Sequence, residues 1–542
     1  MSKYMMETVR YISTQVYKKI DMAKNYEEAV RTLNTLQSNF AVLEKTRLGK
    51  DRERHKNIPE TIEFCNRAGV TLNDIDQLSI IHVSGTKGKG STCAFSESIL
   101  RNHGYTTGFY SSPHLIEVRE RIRINGRPLS KESFSRYFWD CYNKLIDSKL
   151  PEDEKMPSYF RFLTVMAFHV FSQEKVDVAI IEVGVGGEYD YTNVIRTPVV
   201  CGITSLGIDH VPILGDTIEK IAWQKAGIIK SGYPALTVPQ PENGLDVIAE
   251  RALEKSSSIK LVPHLSDYNW NGREPELGLE GDMQHWNASL AIQLSKTWLN
   301  RHHLGSDERK EFIDYSDYDA IRGADIVTAD TMEITDNIYN GLKNCRWPGR
   351  NQILKHDKIT YYLDGAHTDR SMSQCAKWFQ LVADKEKQSL GGKVCRVLLF
   401  NLTGGRKPEL FLDHLVNCDF DAAVFCPNVA TLASDCAGIG SDNTWYQTNY
   451  NTSAESQEAR CSKNRNAWVG LNEQKTDPGL NPILTEIKPS VSDALKWITE
   501  VSSSGDNALR SCDHIQILIT GSLHLVGCSL LLIDPEMNDR IW

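Results

Sequence analysis

Residues 80–92 read Ile-Ile-His-Val-Ser-Gly-Thr-Lys-Gly-Lys-Gly-Ser-Thr: an apolar run, a turn with three glycines and two lysines, then the start of a helical stretch. A strand that enters a Gly-rich turn and leaves as a helix lets backbone N–H groups converge on an anion, and the helix N-terminus adds positive potential. Such a segment commits the chain to an α/β arrangement, with the turn at the carboxyl edge of a sheet where ligands of open α/β folds bind. Lys89 is placed to reach the outer phosphates of a nucleotide, and the Ser91 hydroxyl to lie near those phosphates or their Mg2+. The string departs from the strict phosphate-loop pattern, because Gly90 separates the lysine from the serine and the first glycine stands closer. The plain alternative is a glycine turn with two solvated lysines. The order of strand, turn and helix favours phosphate.

The rest of the chain repeats that alternation. Short apolar runs at 78–83, 108–110, 176–183, 199–205 and 235–238 are separated by helical stretches, as in a largely parallel sheet covered by helices. The pattern resumes at 359–363, 394–401, 422–426 and 515–520, after a polar, acidic stretch at about 302–330 without a clear period. A chain of 542 residues exceeds one ordinary core, so two domains are expected, 1–345 and 346–542, parting just before Trp347-Pro348-Gly349. Tyr26, Ala29, Val30, Leu33 and Leu36 recur at helical spacing near the start. Residues 430–482, rich in Ser, Asn, Gly and Gln, are expected to form a disordered surface insertion.

The formal net charge of −9 excludes the basic surface a nucleic-acid partner needs, while single cations and backbone dipoles still serve small anions. Thirteen cysteines, without a C-x-x-C pair, fit reduced cytosolic thiols better than a disulfide framework or a zinc ribbon. No apolar run is long enough to span a bilayer, so no integral membrane segment is expected. The first twenty residues set Lys3, Arg10, Lys18 and Lys19 against Glu7, and read as an amphipathic leading helix more readily than as a mitochondrial presequence. A cytoplasmic location is expected, with room for a mitochondrial form.

Other strand ends carry chemistry. The run at 176–183 brings Glu182 ahead of Gly184, Gly186 and Gly187, and a carboxylate beside a phosphate turn is the oxygen donor that nucleotide-bound Mg2+ takes. The run at 199–205 leads to Asp209 and His210; Lys225 follows among apolar neighbours, an unfavourable place for an ammonium group unless it is paired or modified. Spacing alone leaves His210 and Lys225 open between structural and functional roles. Ser111-Ser112-Pro113-His114 ends the run at 108–110, so Gly85, Ser112, Glu182 and His210 collect at one sheet edge. In the second half, Arg350 can meet a phosphate, and Asp364, closing the run at 359–363, can hold a ribose hydroxyl. Structural turns explain these two about equally well. Thr520-Gly521-Ser522 is a similar strand end.

The strings GTKGKGST (85–92), SSPHL (111–115), RERIRING (119–126), YFRFLT (159–164), SLGIDH (205–210), KIAWQKAGI (220–228), RWPGR (346–350), LDGAH (363–367) and TGSLHLVG (520–527) occur in this order. Together they resemble the Mur ligase superfamily and, within it, the eukaryotic folylpolyglutamate synthase family, over about 26–527. The implied fold is α/β: a Mur-ligase-like P-loop ATPase domain with a mostly parallel sheet, then a smaller Rossmann-like α/β domain. The resemblance also implies roles. Gly88, Lys89, Gly90 and Ser91 match the ATP phosphate loop, Asn287 an adenine-side position, and Arg350 and Asp364 nucleotide contacts from the second domain. His367 and Ser522 fall where ATP or the incoming glutamate is handled. Ser112, Glu182 and His210 match ligands of two Mg2+ sites, and Lys225 matches the lysine that is carbamylated in this superfamily. Lys89, Lys225 and His210 are then catalytic, and the loop 112–123, with Arg119 and Arg121, matches a mobile loop shaping the folate pocket.

The implied partners are tetrahydrofolate and its polyglutamates, L-glutamate and ATP, with Mg2+, room for a monovalent cation, and a monomeric chain. The implied reaction joins the amine of L-glutamate to the γ-carboxylate of the folate through an acyl phosphate. A dihydrofolate synthase or bifunctional enzyme is the nearest rival, and activity on dihydropteroate separates it. A P-loop switch is the rival from another class, marked by ATP hydrolysis indifferent to folate and glutamate. Retention of Lys89, Glu182, His210 and Lys225 argues against a non-catalytic relative.

Overall fold

The computed structural model describes residues 25–36, 54–148, 156–305, 307–311, 322–402, 406–432, 454–475, 483–504, 509 and 512–539. The expected leading helix lies outside the described residues, as do parts of the stretches 302–330 and 430–482.

The first sheet has eight strands, β1 (Ile80–Ser84), β2 (Thr107–Tyr110), β3 (Ile122–Ile124), β4 (Arg127–Pro128), β5 (Val178–Glu182), β6 (Val200–Ile203), β7 (Ala235–Thr237) and β8 (Ile259–Leu261). They lie in the order β4-β3-β2-β5-β1-β6-β7-β8, parallel except for the antiparallel pairings of β3 with β2 and β4 at one edge. Both faces are covered, which is why β1 and β5 read as continuous apolar runs. Ile80, Ala179 and Ile181 pack with the helices Asn57–Arg67, Lys131–Asp147 and Tyr159–Glu174. Their neighbours Ile81, Val83, Val178 and Ile180 point the other way, into the core under Lys89–Asn102, Asp282–Arg301 and Asp336–Lys343.

The second sheet has six strands, β9 (Gln352–His356), β10 (Ile359–Leu363), β11 (Val394–Phe400), β12 (Ala422–Phe425), β13 (Leu484–Ile487) and β14 (His514–Thr520). Their order is β13-β12-β11-β14-β10-β9, with β9 alone antiparallel. The expected α/β class with mostly parallel sheets is the class observed. The strands β3, β8, β9 and β13 escape a sequence reading because each is short and interrupted by Arg123, Lys260, Lys355 or Glu486, and all but β3 are partly exposed.

Two expectations need correction. Within 430–482 the segment Ala454–Lys475 is a helix, and its Cys461 and Trp468 are buried in the second domain's core, with Trp468 edge-on to Phe420. Anchors two turns apart suffice to dock a helix that is otherwise polar, and composition averages them away. Cys395 and Cys512 form a disulfide, their Cα atoms 6.0 Å apart, because β11 and β14 are parallel neighbours. Ten other described cysteines are buried and outside any disulfide. No described helix is long and apolar enough to cross a membrane.

Candidate active site

Between the end of β1 at Ser84 and the helix Lys89–Asn102, residues 85–88 form the phosphate turn. The N–H groups of Thr86 and Lys87 donate to Ser205 O at 3.0 and 3.2 Å, and the Thr86 hydroxyl donates to Gly207 O at 3.1 Å, so the loop after β6 holds the turn. Gly88 has φ of 92°, and a Cβ there would lie 2.2 Å from Asn287 Oδ1; only glycine fits. Two lysines meet at one acceptor: Lys89 Nζ donates to Gly85 O at 3.1 Å and Lys225 Nζ at 2.7 Å. Burial, reinforced by Lys89, pushes the Lys225 pKa well below the usual lysine range and so disfavours the ammonium form.

Glu182 is buried at the end of β5, and Ser112 N–H donates to its Oε2 at 3.1 Å. Burial raises the Glu182 pKa, while Lys89 opposes that shift. Ser112 leaves β2 through a cis peptide to Pro113. Asp209 accepts from Lys87 Nζ at 3.2 Å; burial works against its charge, but the Lys87 ammonium outweighs it and holds the carboxyl at about 2. His210 follows with φ of 52°, its N–H donating to Asp209 Oδ1 at 2.9 Å.

The second domain closes the site from above. Asp364, at the end of β10, accepts from Asn351 N–H at 3.0 Å and Ala366 N–H at 2.9 Å. Burial and Lys87 lower the His367 pKa to about 3, so the ring is neutral. Its Nδ1 donates to Gly365 O at 2.8 Å, leaving Nε2 to accept from Lys87 Nζ at 3.3 Å across the domain boundary.

One cavity of about 1160 Å³ joins these groups. Gly88, Lys89, Gly90, Ser91, Ser112, Arg121, Glu182, His210 and Asn287 line it from the first domain, and Arg350, Asp364 and His367 from the second. Lys225 is not in the lining but directly behind the turn, through Gly85 O. Two of the expected residues do not line the cavity. The Ser522 hydroxyl caps the helix Leu523–Ile533, accepting from His524 N–H at 3.2 Å and from Asn428 Nδ2 at 3.3 Å, and is not in the lining. Arg119 turns away from the cavity to Glu117, Leu129 O and Asp539. Ser522→Ala is therefore expected to cost about 1 kcal/mol in a denaturant melt, the usual loss for a cap, with turnover changed less than about twofold.

Sequence reading missed the groups that structure adds. Lys87 was one of two lysines in a turn, with no signal for its bridge to Asp209 and His367. At the far end of the cavity, Arg161 donates to Glu60 at 2.6 Å and to Asn57 at 3.2 Å, and lies over the Tyr191 ring at 4.5 Å. An arginine within the otherwise apolar helix Tyr159–Glu174 was the available hint. Among the described residues no three His, Cys, Asp or Glu side chains group as a metal cage. The cavity lining offers a cation the Glu182 carboxylate, the Ser112 side chain and His210, with further carboxylates such as Asp190 and Asp209 in the same lining. That set suits Mg2+ arriving with a nucleotide, whose phosphate oxygens complete the coordination.

No family model matches the chain. It is 43% identical to human folylpolyglutamate synthase, named as mitochondrial, over 95% of this chain and 92% of that protein. It also superposes on a Mycobacterium tuberculosis folylpolyglutamate synthase complexed with ADP, with a TM-score of 0.66 and 20% identity over 95% of this chain and 99% of that one. A folylpolyglutamate synthase complex with AMPPCP and folate gives a TM-score of 0.61 and 24% identity over 94% and 99%. The two structural likenesses bear on the fold.

Proposed function

This chain belongs to the folylpolyglutamate synthase family, and on that premise we propose that its interdomain cavity activates the γ-carboxylate of a folate with ATP and passes it to the amine of L-glutamate. The reaction is an ATP-dependent ligation of glutamate to folate. A carboxylate resists amines because its oxygen is a poor leaving group. In the first step a γ-carboxylate oxygen attacks the γ-phosphorus of ATP, ADP departs and an acyl phosphate forms. In the second step the glutamate amine attacks the acyl carbon, loses a proton, and phosphate leaves as the amide forms.

Negative charge on the transferring phosphoryl group is the main electrostatic problem, so donors fixed in advance do most of the catalysis. Lys89, Ser91 and the backbone at Gly88 and Gly90 face the phosphates from the first domain, and Arg350 from the second, while the N–H groups of Thr86 and Lys87 are taken by Ser205 O. Glu182, Ser112 and His210 would hold an Mg2+ ion arriving with the nucleotide, which would supply positive charge at those oxygens. Asn287 backs the turn on the adenine side, and Asp364 serves the ribose. Lys225, whose ammonium form burial disfavours, would take up CO2 with loss of a proton to give a carbamate, an anion that suits the neighbourhood of Lys89. Arg121 and His367 face the substrates.

The observation that carries this reading is the shared lining. Phosphate turn and Glu182 come from one domain, Arg350 and Asp364 from the other, so closure completes the site and excludes water. Both halves belong to one chain, which supports a monomeric enzyme. The human relative's name supports a mitochondrial form beside a cytoplasmic one. With Mg2+-ATP and labelled glutamate, the full chain is expected to extend tetrahydrofolate at least about tenfold faster than dihydropteroate. Equal rates would make it bifunctional, and ATP hydrolysis indifferent to both substrates would end the ligase reading.

A further inference from the structure

We propose that Asn538 and Asp539, in the last described turn of the chain, are positioning residues that latch the loop 112–121 to the second domain and so hold Ser112 against Glu182. The role given to Ser112 rests on the ligase reading above; the latch itself rests on geometry.

The loop leaves β2 in the first sheet, yet its middle belongs to the other domain. Leu115 and Ile116 are buried in the second domain's core with Leu363, Leu525, Val526 and Met537. The loop backbone approaches the helix Leu523–Ile533 so closely that a Cβ on Gly527 would lie 2.1 Å from Leu115 O. The glycine there is the helix's accommodation of the loop.

One carboxylate shapes this insertion. Buried Glu120 accepts from the N–H groups of Leu115, Ile116 and Glu117 at 2.9, 3.0 and 2.8 Å. Asn538 Nδ2 donates to the same Glu120 at 2.8 Å and to Glu117 at 3.3 Å. Arg119, also buried, bridges Glu117 at 2.7 Å to Asp539 at 2.9 Å. Met537 is buried in the same core and anchors the turn that presents both residues. Two acidic side chains are thus held by an amide and a guanidinium, and the amide comes from the opposite domain.

The near end of the loop carries the consequence. Only Pro113 and His114 separate Leu115 from Ser112, and His114 is tied by Arg121 at 2.9 Å. Two residues give little slack, so release of Leu115 is felt at the Ser112 contact with Glu182. Docking of the second domain and assembly of the metal-binding side are therefore one mechanical event.

Asn538→Asp keeps the shape and turns the donor into a carboxylate facing Glu120 and Glu117. In the full chain without ligands, exchange of the amides at 115–117 is expected to quicken roughly tenfold, as a charge-assisted hydrogen bond is lost. The Mg2+ concentration for half-maximal turnover should rise about fivefold, with the KM for glutamate unchanged and the melting temperature within about 3 °C of wild type. Asp539→Ala, at a side chain 73% exposed, should move both readouts the same way by about twofold. Unchanged exchange at 115–117 in both variants sinks the latch. So does faster exchange spread evenly over the second domain, or a Mg2+ requirement like that of wild type. The exchange arm uses no substrate, so a wild-type chain that never ligates glutamate overturns the reading of the site and not the latch.

Discussion

Lys89→Ala is expected to lower kcat for glutamate addition by at least about 100-fold, the scale for removing a preorganised charge from a developing oxyanion. The side chain is half-buried and donates to Gly85 O, a contact shared with Lys225, so its removal leaves the fold intact. Lys87 is too committed to take over, since its ammonium is held by Asp209 and His367. Single-turnover measurement of phosphoryl transfer from saturating Mg2+-ATP separates chemistry from binding. The loss should fall on kcat more than on the KM for ATP, because charge on the phosphoryl group grows in the transition state. Undiminished incorporation of glutamate would reject the phosphate-turn assignment.

A second variant should move activity and stability in different directions. Lys225→Met is expected to cost at least about 100-fold in turnover while leaving the folded chain as stable as wild type or more so. Lys225 is buried on the helix Ile218–Ala226, and burial depresses its pKa far below the lysine range. The unfolded chain protonates this amine up to the ordinary lysine range, and the folded chain holds that proton less tightly. Wild-type stability is therefore penalised below the ordinary lysine range and recovers as pH rises through it, a dependence that methionine removes. A residue kept at such a cost is kept for chemistry. With 13C-labelled bicarbonate, wild type should show a carbamate resonance that the variant lacks. Full activity in Lys225→Met would end its catalytic role.

Much of the site was legible because its signals are local. Gly85 and Gly88 need positive φ within one turn, Glu182 ends one apolar run, and Asp364 ends another, so spacing along the chain already carries the chemistry. Of the roles that came through resemblance, that of Asn287 had no local signal, and that of Lys225 had only its setting among apolar neighbours. Asn287 is tied to the turn by packing against Gly88, and Lys225 by a bond to Gly85 O from 140 positions away. The placement of Ser522 and Arg119 outside the cavity lining was hidden for the same reason. Their partners, Asn428 and Asp539, are distant in the chain, and a side chain whose hydrogen bonds are taken up elsewhere looks free in a sequence.

The sequence by itself determined the class of fold and the phosphate turn. Buried parallel strands must be continuous apolar runs, and only glycine accepts the backbone angles of that turn. Tertiary structure alone decided which loop crosses into the other domain, which cysteines meet, and which polar groups face the cavity. Arg119 and Asp539 pair across 420 positions, and no period or composition records such a contact, because it is selected by the packing of whole layers rather than by neighbours in the chain.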